Sequence, residues 1–253
     1  MLSEREIAAL RYYIGDTSGS DPFWSDPKAY VVLNSLFFPG ISTEKARADE
    51  GKYLNAEIIA DTPRLAELLT DLLSSFCKCS ADRVMTTYRV ERYADYQLMK
   101  QQGSTISFTS TSTSGFLDSY RDRKGIALMR FQLTADTPCI EMNKVLPRYA
   151  KCDEAEVLLP PRMELKLHEV PLTGDMLRIT DADGQPPVVC VEVQAGELKS
   201  SGKAVLLPDT DTSYGQRVYD ALNRGIEPKS GDIADYIAWK SQLISYIMGI
   251  KKD

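Results

Sequence analysis

Apolar residues in the first third of the chain recur at three- and four-residue intervals, the spacing of a helix with one buried face. Ser3 and Glu6 form a capping-box signal before Ile7, Leu10 and Ile14, and Gly15 closes that segment. A polar loop follows over 15–26. Pro27 then opens a second predicted helix carrying Tyr30, Val31, Leu33, Asn34 and Phe37, stopped by Pro39-Gly40. A third is predicted over 44–59. Thr62-Pro63 starts a fourth, with Leu65, Leu68, Leu69, Leu72, Leu73 and Phe76 on one broad face. Core packing is the reading of each of these stripes.

After Ser80 the period changes to two. Short strands are predicted over 83–90, 105–109, 126–133, 155–159, 164–170, 176–179 and 188–193, punctuated by Gly103, Gly115, Gly125, Pro138, Pro147, Gly174 and Gly184. Helices first and strands afterwards indicate the α+β class rather than alternating β-α-β units. From about Ala195 the pattern changes again, to a polar stretch over 196–213 and two predicted helices over 214–224 and 232–250. The expected organisation is therefore a unit over 1–195, helical over 1–80 and strand-rich over 81–195, with a C-terminal helical extension over 196–253.

Composition narrows the function. Hydrophobic residues make up 43% of 253, which is enough for a sizeable core. Thirty Lys and Arg against 36 Asp and Glu leave a net charge of −6, which argues against a general nucleic-acid coat. Among the basic residues, Lys144, Arg148, Lys151, Arg162 and Lys166 could still edge a site. No Gly-rich phosphate loop of either common kind occurs. Five cysteines, odd in number and irregular in spacing, read as reduced thiols. The single histidine, His168, lies in an alternating strand pattern and reads as an exposed strand residue; a His-rich metal site cannot be built from it. No apolar run is long enough to cross a membrane, and Met1-Leu2-Ser3-Glu4-Arg5-Glu6 lacks a secretory core. The expectation is a protein cytoplasmic when synthesised. If it acts in another cell, it gets there by a route that reads no ordinary signal peptide.

Three segments carry chemistry together. Thr86-Thr87-Tyr88-Arg89-Val90 puts an arginine at the end of an apolar-aromatic strand. Phe108-Thr109-Ser110-Thr111-Ser112 is a hydroxyl-rich run behind a phenylalanine. Asp153-Glu154-Ala155-Glu156-Val157-Leu158-Leu159-Pro160 sets acids before an apolar strand. Residues two apart on a strand point the same way, so Glu154 and Glu156 can face one site, with their mutual repulsion separating their pKa values.

In this order the segments resemble the Arg–Ser–Glu class of mono-ADP-ribosyltransferases, bacterial exoenzymes and the catalytic halves of binary actin-modifying toxins in particular. The resemblance is strongest over 88–167. It extends to 30–36, where Tyr30, Asn34 and Leu36 match the family's Tyr-x-x-x-Asn-x-Leu helix segment. It implies two packed, mostly antiparallel sheets forming an NAD cleft, flanked by N-terminal helices. NAD would be the co-substrate, and no metal would be needed. By position, Arg89 would grip the NAD diphosphate, a role suited to a planar, permanently charged fork; Arg92 is the runner-up. Ser110 would orient the catalytic glutamate, supported by Thr111 and Ser112. Glu156 would bond a ribose hydroxyl and stabilise the oxocarbenium-like cation as nicotinamide leaves. Glu154 would orient and deprotonate an acceptor guanidinium, which implies arginine as the target. Tyr120, with Phe116 competing, would pack beside nicotinamide, and Tyr149 would recognise the target protein. The alternatives are an NAD glycohydrolase, in which water is the acceptor, and ADP-ribosylation of a nucleic acid, which the acidic balance disfavours. Residues 196–253 are expected to dock an antitoxin, a chaperone or a delivery component.

Overall fold

The computed structural model describes residues 1–15, 29–40, 61–116, 124–147, 155–198, 206–208, 217–218, 220–221 and 224–249. The helix predicted over 44–59 lies outside them. By internal contacts the chain divides into two compact units, Met1–Ser75 with Ser200–Asp253, and Phe76–Lys199.

The first unit is helical. Helix α1 (Glu4–Tyr13) carries the capping box its sequence predicts: the Glu6 N–H donates to Ser3 Oγ at 3.3 Å, and the Ser3 N–H to Glu6 Oε2 at 2.6 Å. Glu6 is buried, and its other oxygen accepts from Ser74 Oγ at 3.0 Å. That bond and an ion pair from Arg5 to Asp71 at 3.0 Å join α1 to α3 (Thr62–Lys78). The cap of α3 is one residue earlier than Thr62-Pro63 suggests, since Asp61 Oδ1 accepts from the Arg64 N–H. Helix α2 (Ala29–Ser35) meets α1 through an Asn34–Tyr13 hydrogen bond at 3.1 Å. The predicted C-terminal helix is present as α6 (Ser230–Gly249), with Tyr236, Trp239, Leu243, Ile244 and Ile247 buried. Its Lys240 is also buried, and donates to the Ser35 and Gly40 carbonyls at the end of α2. Among the described residues no helix is long and apolar enough to cross a membrane.

Among the described residues, the second unit holds all seven strands. In chain order these are β1 (Met85–Arg92), helix α4 (Tyr93–Gln102), β2 (Thr109–Ser112), β3 (Ile126–Leu133), β4 (Ile140–Glu141), the short α5 (Met142–Val145), β5 (Glu156–Leu159), β6 (Met163–Val170) and β7 (Val189–Leu198). The strand order is β4-β5-β2-β1-β3-β7-β6, antiparallel throughout except for β3 beside β7. The α+β class and the mostly antiparallel pairing are as expected. The strands run in one hydrogen-bonded order with a narrow seam. β1 pairs along its full length with β3, but meets β2 at one position, Tyr88 opposite Ser112. The halves β4-β5-β2 and β1-β3-β7-β6 therefore join edge to edge through a single pair of opposed residues.

Sequence explains the layering. Central β3 is an almost continuous apolar run with Ile126, Ala127, Leu128, Met129, Phe131 and Leu133 buried, as a strand covered on both faces requires. Edge strand β6 alternates buried Met163 and Leu165 with exposed Glu164 and Lys166. The strand expected over 105–109 begins later, at Thr109. Thr105 is committed elsewhere: its hydroxyl donates to the Pro160 carbonyl and accepts from the Met163 N–H. The strand expected over 176–179 is instead a 3-10 turn, Gly174–Arg178, entered through Gly174 at φ +54°. His168 is exposed on β6, and Cys77, Cys79, Cys139 and Cys190 are in no disulfide; burial pushes the Cys139 thiol up to about 12.

Asp181 fastens the 181–185 turn to the start of β3. It accepts N–H groups from Gly125 at 2.8 Å and from Asp183 and Gln185 at 2.9 Å each. Those backbone donors, the Gly125 bond first, hold its carboxyl below the ordinary 3.8. A depressed native pKa stabilises above the unfolded value and is lost as pH falls through the native one. Asp181→Asn should therefore lower the melting temperature at neutral pH. The gap from the wild type should close as pH falls below the ordinary carboxylate range; a gap that persists there would refute the assignment.

Candidate active site

Three adjacent strands bring the candidate residues together. β2 and β5 pair in register, with Thr109 opposite Leu159, Ser110 opposite Leu158, Thr111 opposite Val157 and Ser112 opposite Glu156. Directly opposed residues share a face, so Ser112 and Glu156 stand side by side and Ser110 lies diagonally across from Glu156. Thr111 turns the other way; it is buried and its hydroxyl donates to the Val157 carbonyl at 2.7 Å. Its role is to lock the two strands in register. Ser112 Oγ accepts from the Ser114 N–H at 3.0 Å, which shapes the turn beyond β2.

Arg89 reaches this pair from β1. Its Nη1 donates to the Ser110 carbonyl oxygen at 2.7 Å and its Nε to Glu91 Oε2 at 2.6 Å, and the side chain is only 16% exposed. The Arg89 guanidinium thus touches the main chain of the hydroxyl-bearing strand, whose other neighbour carries Glu156; in the strand register it is Tyr88, not Arg89, that stands opposite Ser112. The runner-up, Arg92, sits at the far end of β1 as the N-cap of α4, with Nε bound to Asp95 at 2.6 Å. Phe116 stacks edge-to-face on Tyr88 at 5.1 Å and packs on the Val90, Ile126, Leu128 and Cys190 cluster. Glu154, Tyr120 and Tyr149 lie outside the described residues, as do Arg148 and Lys151.

The backbone ahead of Glu156 is strained. Ala155 has φ +40°, a region that residues with a Cβ seldom adopt, and its carbonyl accepts from both the N–H and the hydroxyl of Thr113. These bonds hold the chain as it turns into β5, which begins at Glu156 itself.

No protein-family description matches the sequence, and no curated protein matches it. Solved structures do. The ADP-ribosylating toxin BECa of a binary enterotoxin of C. perfringens, solved with NADH, superimposes with a TM-score of 0.50 at 15% identity, over 77% of this chain and 44% of that one. The enzymatic component C2-I of the C2-toxin from Clostridium botulinum gives 0.51 at 15% identity, over 79% and 44%. The chain has the ADP-ribosyltransferase fold. It spans less than half the length of those two structures.

Within the ADP-ribosyltransferase fold, two features of the site escaped the sequence reading. One is α4, which follows β1 without a break; Asp95 in its first turn and left-handed Gly103 at its end were the available signals. The other is Glu91. An acid two residues from an arginine on a strand ordinarily reads as a solvated pair, and only the fold reveals its 5% exposure. Of the basic residues considered for a nucleic-acid edge, Lys144 is bound to Asp82 and Glu141 at 2.8 and 2.7 Å. Lys166 is on β6, at the opposite end of the strand order from β4 and β5. Arg162, half-buried in the β5–β6 turn, has its guanidinium pKa lowered by burial.

Proposed function

We propose that this chain transfers ADP-ribose from NAD to an arginine side chain of a protein acceptor. The observation that supports the reading is the meeting of Arg89, the Ser110–Thr111–Ser112 strand and Glu156 on adjacent strands of a fold shared with an ADP-ribosylating toxin. In this reading Arg89 holds the diphosphate. The bond between the ribose C1′ and the nicotinamide nitrogen breaks, its electron pair leaves with nicotinamide, and the ring becomes oxocarbenium-like. Glu156 stabilises that cation and fixes a ribose hydroxyl, as carboxylates do in glycoside cleavage. Ser110, diagonal to Glu156, orients it. Glu154 takes a proton from the incoming guanidinium, whose nitrogen bonds to C1′. Tyr120 packs beside nicotinamide and Tyr149 contacts the acceptor protein. Every step uses side chains of this chain, with NAD as substrate and no metal.

NAD glycohydrolysis is the second reading, since the same site activates water if Glu154 does not face a guanidinium. The two separate in one assay, nicotinamide release from labelled NAD with and without eukaryotic or bacterial lysate protein. Transfer predicts release that rises with acceptor protein, and mass spectrometry should find the label on arginine. Equal release without acceptor would establish hydrolysis instead, and no release in either condition would overturn both.

A delivery component, chaperone or antitoxin that engages α6 would meet its outward side, because the apolar residues Tyr236, Trp239, Leu243, Ile244 and Ile247 are already buried. BECa is described as part of a binary enterotoxin. A comparable division of labour here means synthesis in the cytoplasm and entry into a target cell by way of such a partner.

A further inference from the structure

We propose that Glu91 is a positioning residue that sets the plane of the Arg89 guanidinium toward the NAD diphosphate; this rests on the functional reading above. Arg89 and Glu91 are two apart on β1 and therefore lean the same way. The Glu91 carboxylate is 5% exposed and uses both oxygens. Oε2 accepts from Arg89 Nε at 2.6 Å, and Oε1 accepts from the Arg92 N–H at 3.0 Å, where β1 ends and α4 begins. The second bond anchors the carboxylate to the main chain, so it acts as a fixed acceptor rather than a mobile counter-ion. With Nη1 on the Ser110 carbonyl, the guanidinium is held at two corners by groups on different strands. A planar fork held at two corners has one orientation left, and the ligand need not supply the entropy of fixing it. The Glu91 charge also offsets the cost of keeping Arg89 charged at 16% exposure before NAD arrives. The neighbouring Arg92–Asp95 pair is different: its arginine is 31% exposed and bonds within its own turn of α4.

This role makes a specific kinetic prediction. The diphosphate is distant from the bond that breaks, so disorder in Arg89 weakens binding of substrate and transition state alike and appears in KM. Glu91→Ala should raise KM for NAD about tenfold, with kcat within about threefold of the wild type. ADP-ribose, which keeps the diphosphate, should lose inhibitory affinity by the same factor, whereas inhibition by nicotinamide should be unchanged. Glu91→Gln has one acceptor oxygen for two donors; with that oxygen turned to Arg89 Nε it keeps this bond and gives up the Arg92 anchor and the charge, so its KM should rise less than that of the alanine variant. If the alanine variant does not fold, Glu91→Asp, which withdraws the carboxylate by one methylene, replaces it with the same expected rise. Arg89→Lys and Glu156→Gln serve as controls. If both controls lose activity while Glu91→Ala keeps its KM and its ADP-ribose inhibition, the positioning role is wrong. Equal defects in the glutamine and alanine variants would also overturn it. If the two controls release nicotinamide like the wild type, it is the functional reading that has failed.

Discussion

Glu156→Gln is expected to cut nicotinamide release from NAD by roughly 100- to 1000-fold, the range found when one preorganised electrostatic group is removed from a transition state. Glutamine preserves shape and leaves a dipole where a full charge faced the developing cation. The loss should fall on kcat, with KM for NAD little changed, since the ribose ring is neutral in bound NAD and becomes cationic only as nicotinamide leaves. The fold should survive. Glu156 is the first residue of a four-residue strand and half-buried, and the buried residues of β5 are Val157, Leu158 and Leu159. A melting temperature near that of the wild type beside a lost activity would fit a role in the chemistry. A variant that cleaves NAD at the wild-type rate would remove Glu156 from the mechanism, and the reading built on it would go too.

Lys240→Ala is expected to destabilise the chain by about 2–4 kcal/mol, read as the midpoint shift in urea unfolding. Lys240 is 2% exposed, and its ammonium donates to the Ser35 carbonyl at 2.7 Å and the Gly40 carbonyl at 3.2 Å, with the Tyr236 ring 5.3 Å away. Ser35 ends α2, where the helix dipole concentrates negative potential, so a cation is suited to the position. Alanine would leave those carbonyls buried with fewer donors, empty the space of the lysine stem and forfeit the ring contact. Lys240→Met retains the stem, so the difference between the two variants isolates the ammonium. An unchanged midpoint in both would show that the Lys240 bonds to the Ser35 and Gly40 carbonyls contribute nothing to stability.

The elements legible in the sequence are those in which one residue class fills a face. The capping box of α1, the leucine stripe of α3, the apolar run of β3 and the alternation of β6 are local patterns, and each sits where its period indicated. Misreadings arose where a few apolar residues are compatible with more than one local geometry. Met176 and Ile179 suggested a strand, but Gly174 starts a tight turn and the Met176 N–H closes back on the Thr173 carbonyl. Helix α4 buries only Asp95, Tyr96 and Met99, too thin a stripe to stand out. Arg89, Ser110 and Glu156 of the candidate site stand out by motif, since each residue type suits the chemical task proposed for it. Glu91 does not, because its significance is burial. The strain at Ala155 was equally hidden, since alanine gives no sign of a left-handed backbone.

The one-position seam between β1 and β2 has a bearing on how variants of Arg89 should be understood. Along most of its length β1 is held by β3, whereas Ser110 and Glu156 ride on the other half of the sheet. The bond from Nη1 to the Ser110 carbonyl is thus a rivet across the join, in addition to whatever the guanidinium offers a ligand. Truncating Arg89 removes both at once, so part of any activity lost would reflect strands drifting out of alignment. Lysine at position 89 keeps the charge and discards the planar fork, so it separates what the charge contributes from what the fork does in its two tasks, gripping the ligand and bridging the strands.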